Sequence, residues 1–222
     1  SEVHAVFCCI LTILATLFTA IIPATCVTSE KEARSWPLLL GTTHGDWRIL
    51  FSKWLAMLRW CLPSWTLLFG HVLFFTLIGI IHPVALIHEG VVMAGITNLL
   101  IGTGLYWSTR LRRTTTAVVC NFILPLMIWL VLPVLSIIVI EINNMSGRTI
   151  ERYMRWHPFF QAGVIGEACT SNQGHLRMYD WVTTRLNVWE STLLLLGTAC
   201  VYSMIGLGFG WFAKNQFRRK IF

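Results

Sequence analysis

Five stretches of this chain contain no Asp, Glu, Lys or Arg: 5–27, 60–88, 90–109, 114–140 and 191–213. The shortest, 90–109, is 20 residues long, and about 20 apolar residues are enough to carry a helix across the hydrocarbon core of a bilayer. A helix satisfies its own backbone hydrogen bonds in lipid. The pattern therefore predicts an all-α polytopic membrane protein with five spans, near 5–27, 61–81, 85–107, 116–140 and 191–213. Glu89 lies near the outer end of the third. Pro125 and Pro133 fall inside the fourth and are expected to bend it, because proline removes a backbone donor and crowds the preceding turn.

Two polar segments are much longer than a turn requires. The first, 28–60, contains SEKEARSWPLLLGTTHGDWRILFSK at 29–53. Ser29 offers an N-cap, and Glu32 three residues later completes a capping box. Glu30 and Glu32 fall in the first turn, where the helix dipole favours acids. Trp36, Leu39 and Leu40 give the helix an apolar face. Thr43-His44-Gly45-Asp46 reads as a turn, with Asp46 capping a second helix, 47–60, that runs directly into span two. The segment is expected to form a helix–turn–helix elbow. Either it hangs from the membrane to meet a partner, or it lies on the headgroups with Trp36, Trp47 and Trp54 as anchors.

The second long segment is 141–190. It opens on Asn-Asn-Met-Ser-Gly, continues through a polar helical piece at 149–156, and reaches His157-Pro158-Phe159-Phe160. A loop at 170–175 precedes an amphipathic stretch, 178–189, whose Tyr179, Trp181 and Trp189 suit an interfacial aromatic belt. Short helices covering the mouth of the bundle are expected here.

Composition fits this picture. Of the 222 residues, 55% are hydrophobic and 12% charged, and the mean hydropathy is +0.66; these values exclude a soluble domain. Parity of the spans places Lys31, Arg34, Arg48, Lys53, Arg59, Arg110, Arg112, Arg113, Lys214, Arg218, Arg219 and Lys220 on one side, twelve of the 17 basic residues. That side is expected to be cytoplasmic, with the C-terminus inside and the N-terminus outside. The net charge of +7 is thus mostly topology. The basic clusters flank spans and lack interleaved stacking aromatics, so nucleic acid is not an expected partner. The seven cysteines form no CxxC pair and imply no disulfide framework.

Candidate chemistry is sparse. His82, His88 and Glu89 cluster between spans two and three and could hold an ion, but their spacing matches no metal motif, and a polar cap on the hairpin is the simpler reading; no metal or cofactor is expected. His71 lies inside span two, where an ionisable group is a functional candidate. No GxSxG, HExxH or phosphate-binding glycine loop occurs, so no catalytic residue is expected. Gly206 and Gly210 form a GxxxG in span five and are expected to pack helices closely.

The run 30–54, EKEARSWPLLLGTTHGDWRILFSKW, resembles the first cytoplasmic loop of type-2 ABC exporter permeases. That pattern reads approximately E-R-E-x-G-T-(L/W)-E-L-L-L-x-T-P-L-S-x-x-E-I-L-x-G-K. The matching positions are Glu30, Lys31, Glu32, Trp36, Leu38, Leu39, Leu40, Thr42, Ile49, Leu50 and Lys53. The family's Gly-Thr is Arg34-Ser35 here, its second Glu is Pro37, and its Pro-Leu-Ser is Thr43-His44-Gly45. GLYWSTRLRRTTTAVV at 104–119 resembles the family's short cytoplasmic connection, RWHPFFQ at 155–161 its outer element, and the tail KNQFRRKIF its basic C-terminus.

The resemblance implies a single permease domain, 1–222, contributing five of the family's six spans, with a preceding span expected beyond this chain. It implies a coupling elbow at 28–60, in which Glu30, Lys31, Glu32, Arg34, Trp36, Leu39, Thr42, Asp46 and Lys53 meet a separate ATP-binding cassette subunit. It implies pairing with a second permease subunit, and an outer gate segment at 141–190 carrying His157, Pro158 and Phe159. The expected location is the bacterial inner (plasma) membrane, and the expected role is export driven by ATP hydrolysis on the partner. Two other readings remain open: a non-transporting structural subunit with the elbow as docking surface, and a membrane enzyme or metal protein using His82, His88 and Glu89.

Overall fold

A computed structural model describes residues 2–36, 45–142, 153–170, 178–181 and 184–217. In chain order the elements are α1 (Glu2–Thr25), α2 (Thr28–Glu32), α3 (Asp46–Leu77), α4 (Val84–Arg110), α5 (Thr114–Leu126), a π-helical turn (Met127–Val131), α6 (Leu132–Ile142), α7 (Pro158–Cys169), strands β1 (Tyr179–Trp181) and β2 (Thr184–Leu186), and α8 (Val188–Gln216). Of the described residues, 86% are helical. Among the described residues, five helical stretches are long and apolar enough to cross a membrane: Val3–Glu32, Asp46–Leu77, Val84–Arg110, Thr114–Ile142 and Val188–Gln216.

Burial runs opposite to a soluble fold. Leu67, Leu77 and Met204 are 66%, 78% and 72% exposed, whereas Thr16, Thr19, Thr103 and Asn121 are buried. Lipid is as apolar as leucine, so helices in it associate through close backbone packing and polar bonds. The chain is an integral membrane protein with its polar groups turned inward. Asn121 shows the principle: its amide donates to the Ala20 carbonyl at 2.7 Å and its oxygen accepts from Thr103 at 2.7 Å. One side chain on α5 thereby binds α1 and α4.

The chain forms two compact units. The elbow unit comprises Thr16–Ser64, Ile96–Leu124 and Val201–Phe222, and the hairpin unit Ser1–Ala15, Trp65–Gly95 and Pro125–Cys200. In the elbow unit, α4 and α8 cross at glycine. A Cβ on Gly102 would stand 1.9 Å from the Gly206 carbonyl oxygen, and one on Gly206 would stand 2.2 Å from the Asn98 carbonyl oxygen. Gly104 admits α1 in the same way, since its Cβ would meet Pro23 at 2.6 Å. Gly210 has nothing within 4 Å of such an atom, so the close approach belongs to Gly206 and not to its GxxxG partner.

The second arm of the elbow and span two form one uninterrupted helix of 32 residues, as the sequence predicts. Two local expectations differ from the structure. Ser29 is not an N-cap: α2 begins at Thr28 with no side-chain cap. The Lys31 N–H already donates to the Val27 carbonyl, so the helix starts ahead of Ser29, and the Glu32 carboxylate bonds Thr114 instead. The stretch 178–189 is not one amphipathic helix. Tyr179 and Trp181 point inward and Asp180 outward, the period of two that makes a strand, and β1 pairs antiparallel with β2 before α8 begins.

Span four departs from regular helix where its prolines require. Pro133 has no N–H for the carbonyls four or five residues back, Trp129 and Ile128. The chain forms the π turn there, and the segment that follows span four supplies replacement donors. His157 Nε2 bonds the Trp129 carbonyl at 2.6 Å, and the Tyr153 hydroxyl donates to the Ile128 carbonyl.

Candidate functional site

The elbow touches the end of every span in its unit. Lys31 Nζ donates to the carbonyls of Ser108, Thr109 and Leu111 at 3.0, 2.5 and 3.0 Å. These are the C-terminal carbonyls that α4 and its turn leave unpaired, where a cation is also favoured by the helix dipole. Glu32 accepts from the Thr114 backbone N–H at 2.7 Å and its hydroxyl at 2.8 Å, capping the start of α5 from another part of the chain. The charged carboxylate is the acceptor such a cap requires.

Glu30 pairs with Lys53 of α3 at 2.6 Å. Trp36 is 3% exposed and packs edge-on against Phe217, just past α8, with ring centroids 4.8 Å apart. Val27, Ile49 and Leu50 complete that cluster. Trp36 is therefore not a headgroup anchor, whereas Trp47 is half-exposed. Asp46 opens α3 in the first turn, where an acid is favoured. Leu39 and Thr42 lie outside the described residues.

Arg34 is exposed and adopts φ 56°, the left-handed conformation. The Ser35 N–H reaches the Glu30 carbonyl and the Arg34 N–H the Lys31 carbonyl. This is the double bond pattern of a Schellman stop, in which the residue at Arg34 is usually glycine. Arg34→Gly is expected to raise stability by about 0.5–1 kcal/mol, since relief of left-handed strain exceeds glycine's extra chain entropy. Thermal unfolding in detergent reads the gain; a loss would show that the Arg34 side chain contributes more than its backbone costs.

In the hairpin unit, His88 sits in a buried chain of donors. Thr192 gives its hydroxyl hydrogen to the Val188 carbonyl at 2.7 Å, so it accepts from His88 Nε2 at 2.8 Å. That assigns His88 Nδ1 as acceptor for the Tyr179 hydroxyl at 2.7 Å. Tyr179 lies 3.2 Å from Cys169 Sγ. Burial pushes the Cys169 thiol up to about 11, only partly offset by that bond, and burial beside the thiol raises Tyr179 as well. Burial thus favours the protonated form of both groups.

His82 bonds locally, accepting from the Val84 N–H, while its backbone N–H donates to Cys169. Glu89 is 1% exposed, and among the described residues neither carboxyl oxygen has a hydrogen-bond partner. Among the described residues no three His, Cys, Asp or Glu side chains are placed to hold a metal, and both ring nitrogens of His88 are spent. The sequence places His88 and Glu89 together but gives no sign of Tyr179, whose partner is 91 positions away.

His157, Pro158 and Phe159 start α7. His157 is its N-cap, accepting from the Phe160 N–H through Nδ1, and Pro158 stands where proline suits a helix start. Phe159 meets Trp129 edge-on. Donation from Nε2 and acceptance at Nδ1 fix the neutral imidazole, and burial lowers its pKa below the ordinary 6.5. A lowered value on a base means the unfolded chain binds the proton first. Stability from His157 is therefore complete above pH 6.5 and falls as pH drops below it. Unfolding temperatures between pH 7.5 and 5 are expected to decline, with a smaller slope in His157→Gln; equal slopes would remove His157 as the source.

No protein-family model, curated protein or solved structure matches this chain.

Proposed function

We propose that this chain is the membrane-spanning subunit of an ABC exporter, with the elbow receiving motion from a separate ATP-binding subunit. The observation that carries the reading is the elbow's anchorage. Within nine residues, 28–36, it bonds or packs against α3, the end of α4, the start of α5 and the end of α8. A surface that merely docked a partner would need one foothold. A lever needs a rigid connection to each moving part, and α3 continues from the elbow into the bilayer without a break.

The Schellman stop adds support of a different kind. The exporter pattern has glycine at the position of Arg34, the residue type that a left-handed φ favours. In this reading Glu30, Lys31, Glu32, Trp36 and Lys53 hold the elbow to the spans. Exposed Arg34, Asp46 at the start of α3, and Leu39 and Thr42 fall to the ATPase side. His157, Pro158 and Phe159, tied to the bend of span four, serve as the outer gate. A second permease subunit completes the transporter, and the elbow side is cytoplasmic.

Purification of the tagged chain from its native membrane tests this. An ATP-binding subunit is expected to copurify, and to be lost when residues 37–44 are exchanged for a glycine–serine linker or when Arg34→Glu reverses the exposed charge. Circular dichroism shows whether the spans persist. A chain that brings down no ATP-binding subunit, or a linker variant that keeps it, would overturn the reading.

A further inference from the structure

The elbow unit holds an apolar slot of about 220 Å³ between α3, α4 and α8. Trp47, Phe51 and Trp54 form one wall; Gly102 and Gly206, where α4 meets α8, line the slot opposite, and Gly210 leaves open space beside them. That volume is below the roughly 300–1,000 Å³ of an ordinary small-molecule pocket. Its α4 and α8 lining belongs to membrane-spanning stretches and its α3 lining to the elbow's second arm, so the slot is within reach of bilayer lipid.

One end of the slot is charged. Lys214 Nζ sits 5.8 Å from the Trp47 ring centroid and 4.9 Å from that of Trp211. The two indoles face each other at 6.3 Å. No carboxylate partner is seen for Lys214 among the described residues. From Lys214 to Gly206 along α8 is about 12 Å at the helical rise, so the cation marks the mouth and the glycines the floor. A cation held by aromatics above a narrow apolar channel has the polarity of a phospholipid: phosphate at the mouth, one acyl chain inside.

We propose that this slot is a binding site for an anionic phospholipid, its phosphate on Lys214 and one acyl chain lying over Gly206 and Gly210. Bulk lipid would fill the groove without regard to headgroup; the lysine makes the site selective. The side that carries it also carries most of the basic residues, and anionic lipids are concentrated at such surfaces. The site does not depend on the export reading.

Native mass spectrometry of the full chain, released from an equimolar mixture of phosphatidylglycerol and phosphatidylcholine with the same acyl chains, tests it. The wild type is expected to retain phosphatidylglycerol about fivefold over phosphatidylcholine, the factor one lysine supplies near a charged surface. Lys214→Gln is expected to equalise the two. Gly210→Leu fills open space and is expected to release both lipids while leaving the unfolding temperature unchanged; Leu207→Trp fills the slot from the same helix and serves if the first variant unfolds. Equal retention by the wild type, an unchanged preference in Lys214→Gln, or undiminished lipid in the filled variants would overturn the proposal. So would a dimer that excludes lipid from the slot, which would give this face to a second copy.

Discussion

Alanine at Gly206 is expected to cost about 3 kcal/mol, the upper end of overpacking penalties. The added Cβ would lie 2.2 Å from the Asn98 carbonyl oxygen, 2.7 Å from its carbon and 2.9 Å from Leu99 Cα. All three are backbone atoms of a helix, so no side chain can turn away. Relief comes only from pushing α8 off α4, which also lengthens the 3.1 Å bond from the Asn98 amide to Ser203. In detergent the unfolding temperature is expected to fall by about 6 °C or more, scaling from chains of this size. Gly210→Ala, in open space, is expected to change nothing. Gly102→Ala strikes the same crossing from the other side, so the double variant is expected to cost less than the sum of the two. Equal tolerance of alanine at 206 and 210 would rule out the crossing.

Lys31→Met is expected to be the second most damaging single change, at about 2–3 kcal/mol, the range for hydrogen bonds to a charged group. Methionine keeps the length of the side chain and removes the donor. Three carbonyls at the end of α4 then lose their partner, and a cation disappears from the negative end of a helix dipole. Arginine is not an equivalent replacement, because its planar fork cannot converge on three carbonyls as a rotating ammonium does. Thermal unfolding and proteolysis after Arg110 read the loss. If the export reading holds, Lys31→Met also lowers transport per ATP hydrolysed in reconstituted vesicles, while ATP hydrolysis persists. Unchanged stability would show that the three carbonyls are satisfied by water instead.

The five spans were legible because lipid imposes a length and a polarity that no soluble element shares. The continuity of the elbow's second arm with span two was legible too, since no breaker lies between Asp46 and Pro63. The elbow's bonds were not. Glu32 reads as a local cap by its spacing from Ser29, yet its partner, Thr114, is 82 positions away. Whether a helix end is new or continuous decides what its caps do, and that is settled by the turn at 26–27, which the sequence does not mark. The strand pair 179–181 and 184–186 is not legible in the sequence, because three-residue strands are too short to show a period against a background of helical amphipathicity. Gly210 was paired with Gly206 by a motif, whereas the contact is made by Gly102, on another helix. The donors for Ile128 and Trp129 could have been sought: a proline inside a span announces orphaned carbonyls, and Tyr153 and His157 are nearby polar groups able to reach them.

Those two carbonyls also set an order of events during synthesis. Tyr153 and His157 follow Ile128 and Trp129 by 25 and 28 residues. At ordinary elongation rates the ribosome needs about 1–5 s to add that length. Span four is therefore synthesised with its bend unsealed, and waits until the segment behind it has been made and has turned back. In that interval the nascent helix has every reason to stay beside a polar channel wall rather than drift into lipid.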